Sequence, residues 1–281
     1  MSIEDFKNTV AALRNQEKGC PWVKTQTHSS LKRYLLEELY ECLEAVDEVE
    51  EANPEKQKIA NHTLKEELGD VLLQVMLHSE IAEERGAFKF SDVVDYINEK
   101  MIRRNPHVFS DASVKNTDEV DNNWEKIKKE EKKNRKSIFE GIPKELPSLA
   151  RAWKISKKAV RESFEWDEER KLYEQLQSEI EEFKEVSFAK EELSKSEKDA
   201  AELELGDILF TVVNLARWFK IDPEEALRKT NNKFTNRFDI MMDIVKESGS
   251  SSLKEHSPTE LQEFWQKAKH KQNEELKHVS K

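Results

Sequence analysis

An acidic motif occurs twice in this 281-residue chain, and its repetition restricts the fold to two copies of one structural unit. In each copy, a Glu-x-x-Glu is followed some two dozen residues later by Glu-x-Gly-Asp. Because residues three apart lie on one face of a helix, two facing helices of this kind would converge four carboxylates on one point. The two predicted sets are Glu38, Glu41, Glu67 and Asp70, and Glu179, Glu182, Glu204 and Asp207.

Other residues recur in the same order at an offset near 140 residues, as between Trp124 and Trp265 (265 − 124 = 141). A tandem duplication explains this order. The matched pairs are Trp22 and Trp166, Lys100 and Lys233, Arg104 and Arg237, Trp124 and Trp265, and Lys128 and Lys269. Glycine and proline within 137–148 predict a linker there, between a first repeat at 1–136 and a second at 149–281.

The composition predicts an all-α protein. Charged residues make up 37% of the chain and apolar residues 36%, whereas only 6 residues are glycine and 7 are proline, so good helix formers dominate. In the first half, the apolar periodicity predicts helices over 31–52, 64–85, 91–104 and 117–135. Residues 71–77 are apolar on nearly every side, which predicts a buried helix there.

The net charge and the start of the chain limit the classes of binding partner and the cellular compartment that we expect. A net charge of −11 argues against nucleic acid or an anionic membrane as a general partner. No apolar run approaches membrane-spanning length, and the acidic start of the chain lacks the basic region of a signal peptide. Cys20 and Cys42 show no metal-type spacing, which suits a reducing compartment. We therefore expect a cytoplasmic protein.

The acidic sets point to a divalent metal. Four close carboxylates repel one another and are costly to bury, unless a cation holds them together. Mg²⁺, or Mn²⁺ in its place, prefers oxygen ligands and commonly keeps positions open for water and phosphate. Gly69 and Gly206 lie inside the acidic helices, where glycine costs about 1 kcal/mol relative to alanine. Two explanations stay open: a Cβ would crowd the facing helix at the metal, or the helices pack closely.

Basic residues stand in helical register in each repeat, where they could meet one anionic ligand from one face. They are Lys100, Arg103 and Arg104 in the first repeat, and Lys229, Lys233 and Arg237 in the second. Arginine suits bidentate contact with phosphate, and lysine adds a point charge. Trp265, with Lys269 one turn later, could bracket a nucleotide, although salt bridges and core packing remain as alternatives. The histidines show no ligand spacing, and we interpret them as structural: His28, His62, His78 and His107.

Several of these segments resemble one family, the MazG nucleoside triphosphate pyrophosphohydrolases. The resemblance covers nearly the whole chain and is carried by 19–22, Leu36–Glu41, Glu66–Leu73, Arg103–Phe109, 124–128, Glu202–Arg217 and Lys229–Phe238. It implies an all-α fold of tandem helical bundles, a homodimer and Mg²⁺ dependence. It also implies hydrolysis of ribo- and deoxynucleoside triphosphates to the monophosphate and pyrophosphate.

The second repeat is the catalytic one in the family that this chain resembles. The resemblance implies metal binding by Glu179, Glu182, Glu204 and Asp207, which would be catalytic together with Lys233 and Arg237. It implies nucleotide contacts from Lys229, Lys233, Arg237, Trp265 and Lys269, with Lys100 and Arg104 as first-repeat counterparts. One position departs from the family pattern, because Ser178 stands where the first repeat has Glu37. Since the four ligands remain, we expect a competent second site, and activity in both repeats stays open.

Two other classes of function fit parts of the sequence. A non-catalytic acidic helical scaffold would explain the charge and the helices, but it would show no response to Mg²⁺ or nucleotide. A carboxylate-bridged di-metal bundle needs a pair of Glu-x-x-His motifs. The chain offers only Glu275 and His278 in a polar tail, so this reading is the weaker one.

Overall fold

The computed structural model describes residues 2–110, 112–131, 133, 136–188, 192–250 and 252–279, with the side chains of 118 and 275–279 left out. In this part of the chain every regular element is a helix. The chain divides into two compact units, Met1–Lys133 and Asn134–Lys281. The repeat boundaries predicted at 136 and 149 stay a prediction.

The first unit is organised around one long helical hairpin. Its helices are α1 (Ile3–Arg14), α2 (Pro21–Thr25), α3 (His28–Glu51), α4 (Gln57–Glu84), α5 (Phe90–Arg104), α6 (Pro106–Phe109) and α7 (Thr117–Glu130). The short connection between α3 and α4 turns them into an antiparallel pair with the most extensive packing in the unit. Helices α1 and α5 pack on α4, and α7 packs on α5.

The second unit repeats this hairpin. Its helices are α8 (Ser148–Arg161), α9 (Glu169–Ser187), α10 (Lys195–Trp218), α11 (Pro223–Glu247) and α12 (Pro258–Val279), with a 3₁₀ turn at Leu253–Glu255. Helices α9 and α10 pair as α3 and α4 do, and α8 packs on both α10 and α11. Helix α12 packs along α11. The repeated acidic motif therefore lies on equivalent hairpins, α3–α4 and α9–α10.

Local sequence signals set where the hairpin helices begin. Thr27 caps α3 and Ser194 caps α10, each accepting a hydrogen bond from the third backbone amide of its helix. These side chains satisfy amides that have no partner within the helix. Pro223 follows the cap residue Asp222, and its fixed φ suits the first turn of α11.

Most predicted helix boundaries in the first half lie within three residues of the observed ones, but two are wrong by five residues or more. Helix α4 begins at Gln57 rather than at 64. The periodicity missed this start because the first turns of the helix are mostly polar and carry little apolar pattern. Helix α7 ends at Glu130 rather than at 135, and Glu131 caps it. The charge run there contains no breaker that would signal the end. Residues 132, 134 and 135 of the predicted helix lie outside the described part of the chain.

Each unit has its own small apolar core. In the first, residues of α1, α2, α3 and α4 pack together, including Val10, Val23, Leu31, Met76, Leu77 and Ile81. Leu31 of α3 and Leu172 of α9 occupy matched positions, and neither side chain is exposed to solvent (both 0%). An Arg–Glu pair braces each unit: Arg14 with Glu84 in the first, and Arg217 with Glu165 in the second.

The prediction that 71–77 forms a buried helix is only partly right. Met76 and Leu77 are buried, but Leu72 is 37% exposed. On the matched helix α10, Leu205 and Leu209 are 46% and 48% exposed. Apolar side chains on these helices are therefore left uncovered by the described part of the chain.

Both explanations for the helical glycines are wrong within one chain. A Cβ at Gly69 or Gly206 would meet no atom of the described residues within 4 Å. Neither a facing helix nor a metal ligand of the same chain therefore requires glycine at these positions. Separately, none of the described helices is long and apolar enough to cross a membrane.

Candidate functional site

The α3–α4 hairpin brings three of the four predicted first-repeat acids together. Glu38 of α3 and Glu67 and Asp70 of α4 each offer a carboxylate oxygen within 4.8 Å of the others. All three are half-buried. Glu41 is exposed and lies outside this cluster. The charge of Glu41 still contributes to the raised pKa of Glu67.

The first cluster has the electrostatics of a cation site. Burial, and then the charges of Glu41 and Asp70, raises the pKa of Glu67 above its ordinary value. Burial, Asp70 and Glu41 also raise the pKa of Glu38, while a hydrogen bond with Gln74 acts in the opposite direction. Within the described residues, no lysine or arginine forms an ion pair with Glu38, Glu67 or Asp70. The carboxylates therefore repel one another, and among the described residues only the hydrogen bond between Gln74 and Glu38 acts against this repulsion.

Unsatisfied oxygen atoms at this cluster point the same way. Glu67 Oε2 and Gln74 Oε1 are buried and have no hydrogen-bond partner among the described residues. Gln74 is only 4% exposed and lies one helical turn beyond Asp70. Buried polar atoms normally find a partner, and oxygen donors are what a hard divalent cation takes. The residues present therefore fit a divalent metal.

The α9–α10 hairpin forms the equivalent second cluster. Glu179 and Glu182 of α9 and Glu204 of α10 offer oxygens within 4.8 Å of one another. Asp207 is exposed and lies outside this cluster. Burial, then Glu182, Asp207 and Glu179, raises the pKa of Glu204. The second cluster is more open than the first, because Glu182 is exposed as well.

Neutral side chains support the second cluster. The amide of Gln175 donates a hydrogen bond to Glu179 at 2.5 Å, and the hydroxyl of Ser178 donates one to Glu182 at 3.1 Å. Ser178 therefore orients a carboxylate of the cluster where the first repeat carries a further charge. That charge belongs to Glu37, which pairs with Arg33 at 3.6 Å on the exposed side of α3.

The predicted nucleotide-binding residues of the second repeat assemble on α11 and α12. The Arg237 guanidinium lies 5.1 Å from the centroid of the Trp265 ring, and its Nε donates to Gln272 Oε1 at 3.0 Å. Phe234 also packs on Trp265, with ring centroids 5.1 Å apart. Lys233 and Lys269 are exposed, whereas Lys229 forms an ion pair with Glu225 at 3.3 Å.

The first repeat has the same arginine–tryptophan arrangement, but here a carboxylate neutralises the arginine. The Arg104 guanidinium lies 5.3 Å from the Trp124 ring centroid, as Arg237 lies over Trp265. However, Arg104 and Arg103 both bond to Glu131, at 2.5 Å and 2.7 Å. Hydrogen bonds from Arg104 and Arg103 lower the pKa of Glu131 to about 2. Lys100, the other predicted contact, is half-buried on the same helix.

The structure shows several contacts that the sequence did not predict. Glu131 and Gln272 could have been found by extending the alignment of the two repeats one turn beyond Lys128 and Lys269. The contact between His28 Nδ1 and His78 Nδ1, at 2.8 Å, gave no sequence signal because the two residues are 50 positions apart. Burial, then His28, lowers the pKa of His78. The side chains of Glu275 and His278 lie outside the described residues.

Comparison with known proteins identifies relatives that span both hairpins. A family model described as the MazG nucleotide pyrophosphohydrolase domain matches residues 26–109 and 171–241. These segments contain both acidic clusters, together with Arg104 and Arg237.

Individual relatives match over almost the entire chain. The nucleoside triphosphate pyrophosphohydrolase/pyrophosphatase MazG of Thermotoga maritima is 42% identical over 270 residues, covering 95% of each chain. The nucleoside triphosphate pyrophosphohydrolase of Escherichia coli K12 is 38% identical over 95% of this chain and 97% of its own. The uncharacterized protein YabN of Bacillus subtilis is 44% identical over 94% of this chain, which spans 51% of YabN.

Proposed function

This chain belongs to the MazG nucleotide pyrophosphohydrolase family, and from that membership we propose Mg²⁺-dependent hydrolysis of nucleoside triphosphates to the monophosphate and pyrophosphate. The predictions of the family, of an all-α fold and of an enzyme of this class are confirmed. The proposal goes further in naming Mg²⁺, with Mn²⁺ as a substitute, and both ribo- and deoxynucleotides as substrates.

One observation carries the proposal most directly. The second unit combines a carboxylate cluster of Glu179, Glu182 and Glu204 with an arginine held over an aromatic ring. A triphosphate needs both a metal for its oxygens and cationic groups for its remaining charge. In a chain with a net charge of −11, such a local basic group is what would hold an anionic substrate.

Each group has a proposed task in the reaction. Glu179, Glu182, Glu204 and Asp207 would hold the metal ion, and Glu38, Glu41, Glu67 and Asp70 are the equivalent set in the first repeat. When bound, the ion supplies Lewis-acid polarisation of the triphosphate oxygens. A carboxylate of the second cluster, such as Glu179, orients the attacking water and accepts its proton. Lys233 and Arg237 neutralise the charge that develops on the leaving pyrophosphate.

The remaining residues bind the rest of the nucleotide. Trp265 presents an indole face on which a base can stack, and Lys269 lies one turn further along α12. Lys229 is one turn before Lys233 on α11 and can join them if its pair with Glu225 opens. These groups address the phosphates and an aromatic ring without reading base edges, so we expect weak discrimination among bases.

A homodimer is part of the proposal. Leu68 and Leu72 on α4 and Leu205 and Leu209 on α10 are exposed in the single chain. Gly69 and Gly206 lie beside them in open space, although glycine costs about 1 kcal/mol in a helix interior. A second copy approaching these helices closely would bury the leucines and explain the glycines. Light scattering should then give twice the 33.0 kDa chain mass, and a fully active monomer would contradict the assembly.

Product analysis tests the reaction itself. Incubation with ATP or dATP and Mg²⁺ should yield the nucleoside monophosphate and pyrophosphate, and EDTA should abolish both products. Release of the diphosphate and orthophosphate as first products would overturn the proposed reaction. Mg²⁺ should also raise the melting temperature of the nucleotide-free protein, which a helical scaffold without a metal site would not show.

A further inference from the structure

Two matched segments differ in charge where the proposed phosphate contacts are made. Residues 124–131 and 265–272 both begin with the tryptophan that an arginine covers, and they align without a gap. The first segment contains three lysines and three glutamates, so its net charge is 3 − 3 = 0. The second contains three lysines and no acid, so its net charge is +3 with His270 neutral.

Four exchanges together produce this difference of +3: Lys129 to His270 (−1), Glu130 to Lys271 (+2), and two exchanges of glutamate for glutamine (+1 each). Glu125 of the first repeat corresponds to Gln266 of the second, and Glu131 corresponds to Gln272. Both first-repeat glutamates contact cations of their own unit: Glu125 pairs with Lys128 at 3.2 Å, and Glu131 pairs with Arg104 at 2.5 Å. In these two glutamate-to-glutamine exchanges the side chains have the same length and shape, so charge is what differs.

In the first repeat, Glu131 occupies the arginines as a phosphate would. Its Oε1 accepts from Arg103 Nε at 2.7 Å, and its Oε2 accepts from Arg104 Nη2 at 2.5 Å. Charge-assisted bonds between a guanidinium and two oxygens of one anion are the way arginine also binds phosphate. Because the pKa of Glu131 is lowered to about 2, the carboxylate stays ionised at neutral pH.

In the second repeat, Gln272 holds the matched arginine without neutralising it. Gln272 is 7% exposed, accepts from Arg237 Nε, and donates from Nε2 to the Lys233 carbonyl at 3.1 Å. These two bonds fix its amide, which in turn fixes Arg237 over Trp265. Among the described residues, no carboxylate pairs with Arg237, and its two Nη groups have no hydrogen-bond partner.

We propose, resting on the function proposed above, that Glu131 is an internal anion that keeps triphosphate out of the first repeat, whereas Gln272 is a positioning residue that leaves Arg237 charged for phosphate in the second. A triphosphate entering the first repeat would have to displace Glu131 and would then lie beside its displaced negative charge. The same ligand entering the second repeat meets an arginine already oriented and no competing anion.

Stability of the fold alone does not account for the Glu131 contact. The second unit builds the same arginine–tryptophan arrangement with an amide in place of the carboxylate. Glu131 also lies at the partly exposed end of α7, where solvent screening leaves an ion pair with little effect on stability. The arginine–tryptophan arrangement therefore does not require a carboxylate. Exclusion of an anionic ligand does require one.

Calorimetric titration of the full chain with an ATP analogue carrying a methylene bridge between the α and β phosphorus atoms, in the presence of Mg²⁺, tests the first half of the proposal. Wild type should bind one analogue per chain, and Glu131→Gln should bind two. The matched control is Glu130→Gln, which removes the same charge from a neighbouring exposed residue outside the arginine contacts and should still bind one. One site in a folded Glu131→Gln variant, or two sites in wild type, would overturn the inference.

The reverse exchange, at Gln272, tests the second half of the proposal. This test does not depend on whether Glu131→Gln folds. Gln272→Glu should raise KM for ATP by about tenfold or more with a smaller change in kcat. Gln272→Leu removes the same hydrogen bonds without adding charge, so it should raise KM less than Gln272→Glu does. Equal effects of the two variants would reduce Gln272 to a packing role and overturn its assignment. If wild type binds no analogue at all, the proposed function itself fails, an outcome distinct from the others.

Discussion

The two repeats share a hairpin and an acidic cluster but differ in what surrounds the acids. The first cluster is half-buried, with oxygens of Glu67 and Gln74 that have no partner among the described residues, and Glu131 occupies Arg103 and Arg104 of the same unit. The second cluster is more exposed, is supported by the neutral Gln175 and Ser178, and shares its unit with an arginine that has no carboxylate partner among the described residues. We propose from this comparison that a carboxylate cluster that suits a metal is not sufficient for a triphosphate site, and that free cationic groups in the same unit are the second requirement.

The largest expected effect comes from removing one charge from each cluster. Glu204→Gln keeps the size of the side chain and should lower kcat by about 10²-fold or more, the scale of losing a preorganised electrostatic contact. The matched Glu67→Gln should leave kcat within about twofold, because Glu131 already occupies Arg103 and Arg104 of the first repeat. Steady-state assays with ATP and Mg²⁺ on folded variants measure both. A dead Glu67→Gln beside an active Glu204→Gln would reverse the comparison.

A smaller effect is expected at the lysines that follow the tryptophans. Lys269 is exposed and forms no ion pair among the described residues, whereas the matched Lys128 is paired with Glu125. Lys269→Ala should therefore raise KM about tenfold, as expected for losing one charge-assisted contact of about 1.5 kcal/mol, while Lys128→Ala should leave KM unchanged. Equal changes in KM would mean that both repeats bind substrate.

Acid should distinguish the repeats by stability. The pKa of Glu131 is lowered from 4.5 to about 2 in the folded protein, so its contribution is present above pH 4.5 and is lost as the pH falls toward 2. Gln272 cannot titrate. Because the pair is partly exposed, the loss should be at most about 1 kcal/mol, roughly 2–4 °C in melting temperature.

Thermal melts of wild type and Glu131→Gln at pH 7 and at the lowest pH where both stay folded measure this loss. Wild type should lose more stability than the variant over that interval, with Glu130→Gln behaving as wild type does. Identical acid dependence of wild type and Glu131→Gln would show that the Arg104 contact is too weak to hold Glu131 in place.

The smallest effect is expected at Ser178, where the two copies of the acidic motif differ. Ser178→Glu restores the outer acid present as Glu37 in the first repeat. Ser178 is exposed and contacts Glu182 only through its hydroxyl, so kcat/KM for ATP should change by less than about twofold. A large gain in activity would show that the missing charge, rather than the cluster itself, limits the second repeat.

Sequence periodicity was sufficient for the hairpins and for most of the two clusters. Residues three apart on one helix remain neighbours whatever else packs on it, so Glu179 and Glu182, and Glu67 and Asp70, were placed together correctly. The α4–α10 correspondence followed from the repeat alone. Assignment of catalytic and nucleotide-binding roles stays a prediction, because contacts on one helix do not reveal chemistry.

What the sequence did not predict depends on contacts between distant segments. Glu131 meets Arg104 from 27 positions away, and His28 meets His78 from 50, so neither contact has a local pattern. The burial of 71–77 was overestimated because an apolar stripe does not say whether its cover comes from the same chain. Gly69 and Gly206 were misread for the same reason.

The Glu131–Gln272 difference also has a genetic consequence. Codons for glutamate and glutamine differ in a single base, so one point mutation converts either residue into the other without changing side-chain length. In a duplicated gene, one point mutation can therefore neutralise the arginine that would bind phosphate in one repeat, or free it again. The helices stay intact in either case. On the proposal above, the silenced repeat is then free to diverge while the other repeat keeps the proposed activity.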